Sequence, residues 1–306
     1  MASTLFSGLT ASAAEAIQAQ YLLLLADRNW MGNLPTLHYA GAINGSFSNV
    51  LTVPHYGLIG YDSMSLRDES ASVATTALSD GQTQITVQSY AHSIKPSDIA
   101  KMVLGSTGVL DPSMLAMNGA SLAAAKLTDL ICDVIDGFSA TAGPGTGTDL
   151  DISSLLLAIG KLGTLNVDLS RGVSGVLHGQ QWSDVGVDAE TTGGAIQYTF
   201  SGSQEMMIQL SPGAKGRWLG VDWFHSNRVV TANAGADRAG AIWTYGGVAW
   251  GDGVYAAEGP EQMVLGRNVL FERDRDAPAG QTAYVTHTMV GVSKALEAGV
   301  TIISDA

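Results

Sequence analysis

A chain of 306 residues, 46% of them hydrophobic, can bury a sizeable core, while 37 glycines and many Ser, Thr and Asn argue against a purely helical protein. Fifteen Lys and Arg against 28 Asp and Glu leave a net charge of -13, spread over both halves with no basic run, which excludes a phosphate-gripping DNA or RNA binder and an anionic membrane surface as partner. The single cysteine, Cys132, excludes an internal disulfide and a Cys-rich structural metal site, and the lack of a basic leader or long apolar run predicts a soluble protein made inside the cell.

Residues 10–28, "TASAAEAIQAQYLLLLADR", are rich in Ala, Leu and Gln, with Ser12 and Glu15 spaced as a capping box, and predict a first helix. Between Asn49 and Ser93 two β-prone runs, "NVLTVPHYGLIGY" and "QTQITVQSYAHS", flank a polar middle. In the second, Ile85, Val87 and Ser89 alternate with Gln84, Thr86 and Gln88, the pattern of a strand with one wet face. Together they predict an extended hairpin, an arm lying on a partner rather than in its own core, because a lone two-stranded ribbon is marginal in water.

A long amphipathic helix follows, opened by Asp111 and Pro112 in the order of a helix start. Leu127, Leu130, Ile131, Val134, Ile135 and Phe138 recur at helical spacing, with Asp129, Asp133 and Asp136 on the other face. Leu130, Val134 and Phe138 are expected in the core. After "TAGPGTGT" comes a second helix, "DLDISSLLLAIGKLG", expected to end at Gly163. The segment "VSGVLHGQQWSDV" reads as a buried strand turning into a short helix, with Trp182 packing into the core. From there short strands dominate, through "GVDWFHSNRVV" and "AGAIWTYGGVAWG" to "TAYVTHTMVGVSKALEAGVTIISDA", a strand, a turn and a last apolar strand.

No GxSxG elbow is present, and "GVSGV" around Ser174 has its second glycine one place early. The "GPGTG" of Gly143–Gly147 follows a helix and lacks the Lys of a phosphate loop, so it reads as a linker. In "WLGVDWFHSNRV", strand alternation puts Asp222, Phe224 and Ser226 on one face and Val221, Trp223 and His225 on the other. Asp222 and Ser226 then stand about 13 Å apart, too far for a relay within the strand. The six histidines, at 38, 55, 92, 178, 225 and 287, have no ligand spacing. Cys132 beside Ile131 reads as a small buried hydrophobe. No catalytic, cofactor or metal residue is expected.

In the order of its parts the sequence resembles the major capsid proteins of tailed bacteriophages, whose shell fold is called the Hong Kong ninety-seven type. The parts are an N-terminal arm, an extended hairpin, a long spine helix, the strand with "LHGQQWSDV", then "GVDWFHSNRV", the Gly-rich "GAIWTYGGVAWG" and the closing "VGVSKALEAGVTIISDA". The resemblance implies an α+β capsid fold: N-terminal arm 1–46, E-loop hairpin 47–95, P-domain with spine helix 96–166, A-domain 167–265, and C-terminal strands 266–306 returning to the P-domain. It implies a non-enzymatic coat protein of the virion, made in the host bacterial cytoplasm. Its partners would be many copies of itself as pentamers and hexamers, with scaffolding, portal and decoration proteins as further partners. The shell would enclose double-stranded DNA without specific binding, and no cofactor or membrane is involved. Arg67, Asp68, Glu69, Trp223 and Arg228 are the expected intersubunit contacts. The first lysine is Lys95, beyond the hairpin tip, so the isopeptide crosslink of some family members is not expected. An encapsulin-like compartment shares the resemblance, and a soluble β-rich enzyme is a third reading.

Overall fold

The computed structural model describes residues 34–44, 48–56, 80–99, 112–165, 167–191, 214–256, 262–264 and 268–305. The first helix at 10–28, the hairpin tip with Arg67, Asp68 and Glu69, and Asp111 lie outside them. In chain order the strands are β1 (Leu37–Ile43), β2 (Val50–Tyr56), β3 (Asp80–Thr86) and β4 (Gln88–Ile94), followed by helix α1 (Pro112–Ile135), β5 (Ala140–Ala142) and helix α2 (Ile152–Thr164). Then come β6 (Val173–Leu177), helix α3 (Gly179–Thr191), β7 (Ala214–Trp218), β8 (Val221–His225), β9 (Thr231–Ala232), β10 (Asp237–Thr244) and β11 (Val248–Gly253). The chain closes with β12 (Gln262–Val264), β13 (Val269–Asp276), β14 (Gln281–Lys294) and β15 (Gly299–Asp305).

Two sheets organise these elements. One runs β1-β11-β14-β13-β12, with β4 also on β14; the other runs β5-β15-β10-β6-β8-β7, with β9 on β10. Helix α1 lies between them: Leu127, Ile131, Ile135 and the following Phe138 share a core with Val176, Phe224, Ala241 and Trp243 of the second sheet and with Val248 and Val290 of the first. The opposite face of the second sheet is closed by α2 and α3. There Leu155, Ala158, Leu162 and Val185 meet Leu177, Val221, Trp223, Ile242, Val300 and Ile302. Neighbours along one strand therefore serve different cores, Val176 and Leu177 on β6, Trp223 and Phe224 on β8, Ile242 and Trp243 on β10. A sheet covered on both sides reads as an unbroken apolar run, which is how these strands appear in the sequence.

Helix α2 begins at Ile152, three residues into the expected segment, because Asp151 caps it, its carboxylate accepting the Ser154 N–H at 2.8 Å. It runs one residue past Gly163, to Thr164. Several boundaries differ from the sequence expectation. The run "QTQITVQSYAHS" breaks at Val87 into two strands: β3 pairs with β2 as the expected hairpin, while β4 joins β14 in the larger subunit body. The hairpin base is also not a free arm, since Val53 and Ile85 are buried against Ala249 of β11. The alternation at Ile85 and Val87 supplies an apolar face, and that face is satisfied within the same chain.

Helix α2, grouped by the sequence with α1, packs on the second sheet, whereas β11, grouped with the later strands, lies in the first. The last two strands are not a pair: β14 belongs to the first sheet and β15 runs antiparallel to β10 in the second, from Asp237↔Asp305 to Trp243↔Gly299. Residues 295–298 carry the chain across. They meet the other crossing, between β10 and β11, through Thr244 N–H to Ala298 O at 3.0 Å, Ala295 N–H to Gly247 O at 3.1 Å and Leu296 N–H to Gly246 O at 3.0 Å. The end of α1 is tied to the same neck, where Lys294 donates to Gly137 O at 2.8 Å and Glu297 accepts from the Ser139 N–H and hydroxyl.

Candidate functional site

The stretch that most resembles an active site is strand β8 with its flanks, and Asp222, Ser226 and Arg228 in it each have a local structural use. Asp222 faces Arg217 across the β7–β8 pair, at 3.7 Å. Ser226 N–H donates to Leu177 O at 3.0 Å, and its hydroxyl accepts from the Arg228 N–H at 3.2 Å. Arg228 reaches across to Asp129 of α1, at 2.5 Å. No Asp-His-Ser relay is assembled there. Trp223, expected at an intersubunit contact, is 0% exposed. Its indole N–H donates to Trp218 O at 3.1 Å, its ring stands 6.3 Å from that of Trp182, and Gly175 opposite it has no Cβ to collide with the ring. Such a side chain offers nothing to a neighbour, so the expectation is corrected. Arg228 is the member of that set which is both described and solvent-exposed.

Phe138 is buried, and Leu130, Val134 and Trp182 are partly buried against the two cores. Cys132 is buried on α1, and its burial, with Asp129 nearby, pushes the thiol up to about 12, while the Ser226 hydroxyl pulls slightly the other way. At neutral pH it is a thiol rather than a thiolate, and the thiolate is the nucleophile. Native protein is expected to leave an aromatic disulfide reagent unreacted at pH 8 over an hour and to consume one equivalent once unfolded. Prompt reaction of the native chain would show the pocket to be open.

The glycine-rich "GPGTG" segment is likewise occupied from within. Gly147 N–H donates to the buried Asp237 carboxylate at 3.0 Å, which also accepts from the Asn233 side-chain amide. Those two donors hold the Asp237 carboxyl below the usual carboxylate range, the Asn233 bond contributing most. A protein carboxylate thus takes an amide that a phosphate loop would aim at its ligand.

Among the described histidines, His38 meets the Tyr245 hydroxyl at 2.6 Å and His287 meets Glu272 at 3.0 Å. No group of three or more His, Cys, Asp or Glu that could hold a metal occurs among the described residues. No helix among them is long and apolar enough to cross a membrane. A groove of about 210 Å³ between α1 and the β4–β14 pair is lined by Tyr90, His92, Leu122, Lys126, Thr286 and Thr288. Lys126 lies over the Tyr90 ring, 4.8 Å from its centroid, and among the described residues no carboxylate lines the groove to pair with His92 or Lys126 as an acid–base couple.

What the geometry offers is surface. The hairpin base is seated on the first sheet, with Thr83 donating to Ala295 O at 3.0 Å. The turn after β13 is clamped to residues 96–98 by Arg275, whose guanidinium takes both oxygens of Asp98 at 2.6 and 2.7 Å. Outer positions of α2 and α3 expose Leu156, Leu157 and Val187.

No protein-family model matches the sequence, and no curated protein matches it. Solved structures match in fold. The capsid of Ralstonia phage GP4 aligns with a TM-score of 0.61 at 9% identity, over 89% of this chain and 87% of that one. The cyanophage Pam1 capsid aligns at 0.58 and 11% identity, over 88% of each chain. The holo-SrpI encapsulin complex from Synechococcus elongatus aligns at 0.56 and 11% identity, over 90% of this chain and 86% of that one. At these identities the likeness is one of fold, and the fold is capsid-like, a mixture of strands and helices.

Proposed function

We propose that this chain is the major coat subunit of a tailed-phage head, a non-enzymatic protein whose work is to bind copies of itself. The observation that carries the reading is the fold match to phage capsids over nearly nine-tenths of both chains. It is supported by the local engagement of Asp222, Ser226 and Arg228 in the stretch that most resembles an active site.

In this reading residues 1–46 form the arm, and 47–95 the E-loop, its base seated on the subunit and its tip, with Arg67, Asp68 and Glu69, reaching a neighbour. The first sheet with α1 is the P-domain. The second sheet with α2 and α3 is the A-domain, and the exposed part of Arg228 contacts the next copy. Copies gather as pentamers and hexamers in the virion, with scaffolding, portal and decoration proteins as partners, around double-stranded DNA that the acidic chain does not grip. With Arg67 as the one basic residue of the hairpin tip, and a guanidinium unsuited to attack, cohesion is non-covalent.

Each subunit carries -13, so copies repel, and screening to roughly 8 Å at physiological ionic strength leaves apolar contact intact. Electron microscopy of the concentrated full chain is expected to show rings or closed shells, more of them at moderate than at low salt. A monomer under every salt condition, both alone and co-expressed with a scaffolding protein, would overturn the reading. The encapsulin match favours a second one, a protein-loaded compartment. Particles from expressing cells that contain one co-purifying protein and no DNA would select it.

A further inference from the structure

We propose that His178 is an acid-sensitive latch for helix α3: as a neutral imidazole it caps the helix and keeps it seated on the closing strands, and when protonated it lets the first turn go. The latch belongs to the single subunit and does not depend on how copies assemble.

His178 stands between β6 and α3 in the capping position, since its carbonyl accepts the first bond of the helix from the Trp182 N–H at 3.0 Å. Its ring takes part as an acceptor, with the Gln180 N–H donating to Nδ1 at 3.3 Å, so the neutral ring carries its proton on Nε2. The His178 N–H in turn donates to Gln181 Oε1 at 3.0 Å. Gln181 is fully buried, and its amide nitrogen donates to Arg238 O of β10 at 3.0 Å and to Ser304 Oγ of β15 at 2.8 Å. Gly240 leaves the room this amide needs, because a Cβ there would lie 2.9 Å from Gln181 Oε1 and 2.7 Å from Val176 O. One residue thus couples the cap to the strands that hold the second sheet together.

Three features of the place oppose a cation on the ring. Nδ1 is committed as an acceptor and would have to carry a proton instead. The start of a helix already bears partial positive charge. Arg238 adds a guanidinium whose Nε is buried without a hydrogen-bond partner and which no carboxylate pairs among the described residues; its Nη1 donates to Val229 O at 3.4 Å. The carboxylates of the surrounding elements are taken up elsewhere: Asp237 by Gly147 and Asn233, Asp129 by Arg228, Asp222 by Arg217 and Asp188 by the Ile152 N–H. Asp184, farther along α3, stands with Asp149 and Asp305. His225, level with Leu177 on β8, is the other imidazole at this edge and brings no negative charge. Burial and Arg238 accordingly hold His178 below the ordinary imidazole range.

A folded imidazole that is harder to protonate than the unfolded one contributes stability above about pH 6.5 and loses it as the pH falls from there. Asp184 runs the other way, because burial and its two acidic neighbours push its carboxyl up and acid relieves it, so variants are compared at matched pH to cancel it. In dissociated wild-type subunits, exchange of the imidazole C2–H followed by mass spectrometry should give His178 a midpoint below the ordinary 6.5, and a midpoint at or above it would overturn the latch. His178→Asn keeps a capping oxygen and cannot titrate. Between about pH 7.5 and about pH 5.5 the wild type is expected to lose about 2–4 °C more in melting temperature than this variant, and to gain amide exchange in the first turns of α3 that the variant does not show. Equal losses in the two chains would overturn the latch while leaving the coat-subunit reading intact. If His178→Asn fails to fold, the wild-type midpoint decides.

Discussion

Replacing Ile131 with aspartate is expected to leave no folded subunit. Ile131 is 0% exposed near the C-terminal end of α1, in the core that holds the helix between the two sheets. Leu127 and Ile135, one turn to either side, are buried with it. A carboxylate there loses its water and finds no free cation in Arg228, which reaches α1 only to be engaged by Asp129. Leaving a charge buried and unpaired costs several kcal/mol, on the order of 3–5, against a total stability of about 5–15 kcal/mol for a protein domain. The readouts are soluble yield and the thermal melt followed by circular dichroism. Leu130→Asp should be milder, since Leu130 is only partly buried at the flank of the same helix and its carboxylate can lean toward water. If Leu130→Asp proved the more damaging, the helix would be rotated about its axis from the orientation described above.

That comparison marks what sequence periodicity can resolve. The spacing of Leu127, Leu130, Ile131, Val134 and Ile135 identifies the helix and its apolar side, yet the side is wider than the line of deepest burial. Only the packing separates Ile131 from its neighbours. The same holds for "SLLLA" in α2, where three consecutive leucines read alike and one, Leu155, enters the core while two remain half-exposed.

Strand partners were the least legible. An alternating pattern says which side chains share a face but not which strand lies alongside, and β1 pairs in parallel with β11 some two hundred positions away. Likewise nothing in "VSKALEAGVTII" reveals that the turn switches sheets. The resemblance puts Trp223 at an interface, and the residue type does not correct it, because tryptophan is enriched both in contacts between proteins and in cores. The absence of a relay in "WLGVDWFHSNRV" was legible, because it depends only on strand geometry.

The second large effect is expected from the smallest possible insertion, a single methyl group at Gly291. On β14 this glycine stands directly opposite Gly251 of β11, and the two form a bare floor on which the hairpin base rests. A Cβ on Gly291 would lie 2.4 Å from Thr86 O and 2.9 Å from Thr86 C, so the obstacle is main chain. That main chain cannot simply retreat. Val87 N–H is bonded to Asn49 O at 2.8 Å, and the next residues are already laddered to β14 as β4. Gly291→Ala must therefore lift the junction of β3 and β4 or break its hydrogen bonds, a strain of about 1–3 kcal/mol or more. At Gly251 the nearest obstacle is Leu51 Cδ1, at 2.3 Å, the end of a side chain that can change rotamer, with Gly41 O next at 3.1 Å. Gly251→Ala should accordingly cost less despite an equally short first contact. The expected order is a lower melting temperature for Gly291→Ala than for Gly251→Ala, with faster amide exchange in β2 and β3 only for the former. If the two variants melt together at the wild-type temperature, the hairpin base is not held against the sheet, and the seating from which its tip would reach a neighbour is wrong.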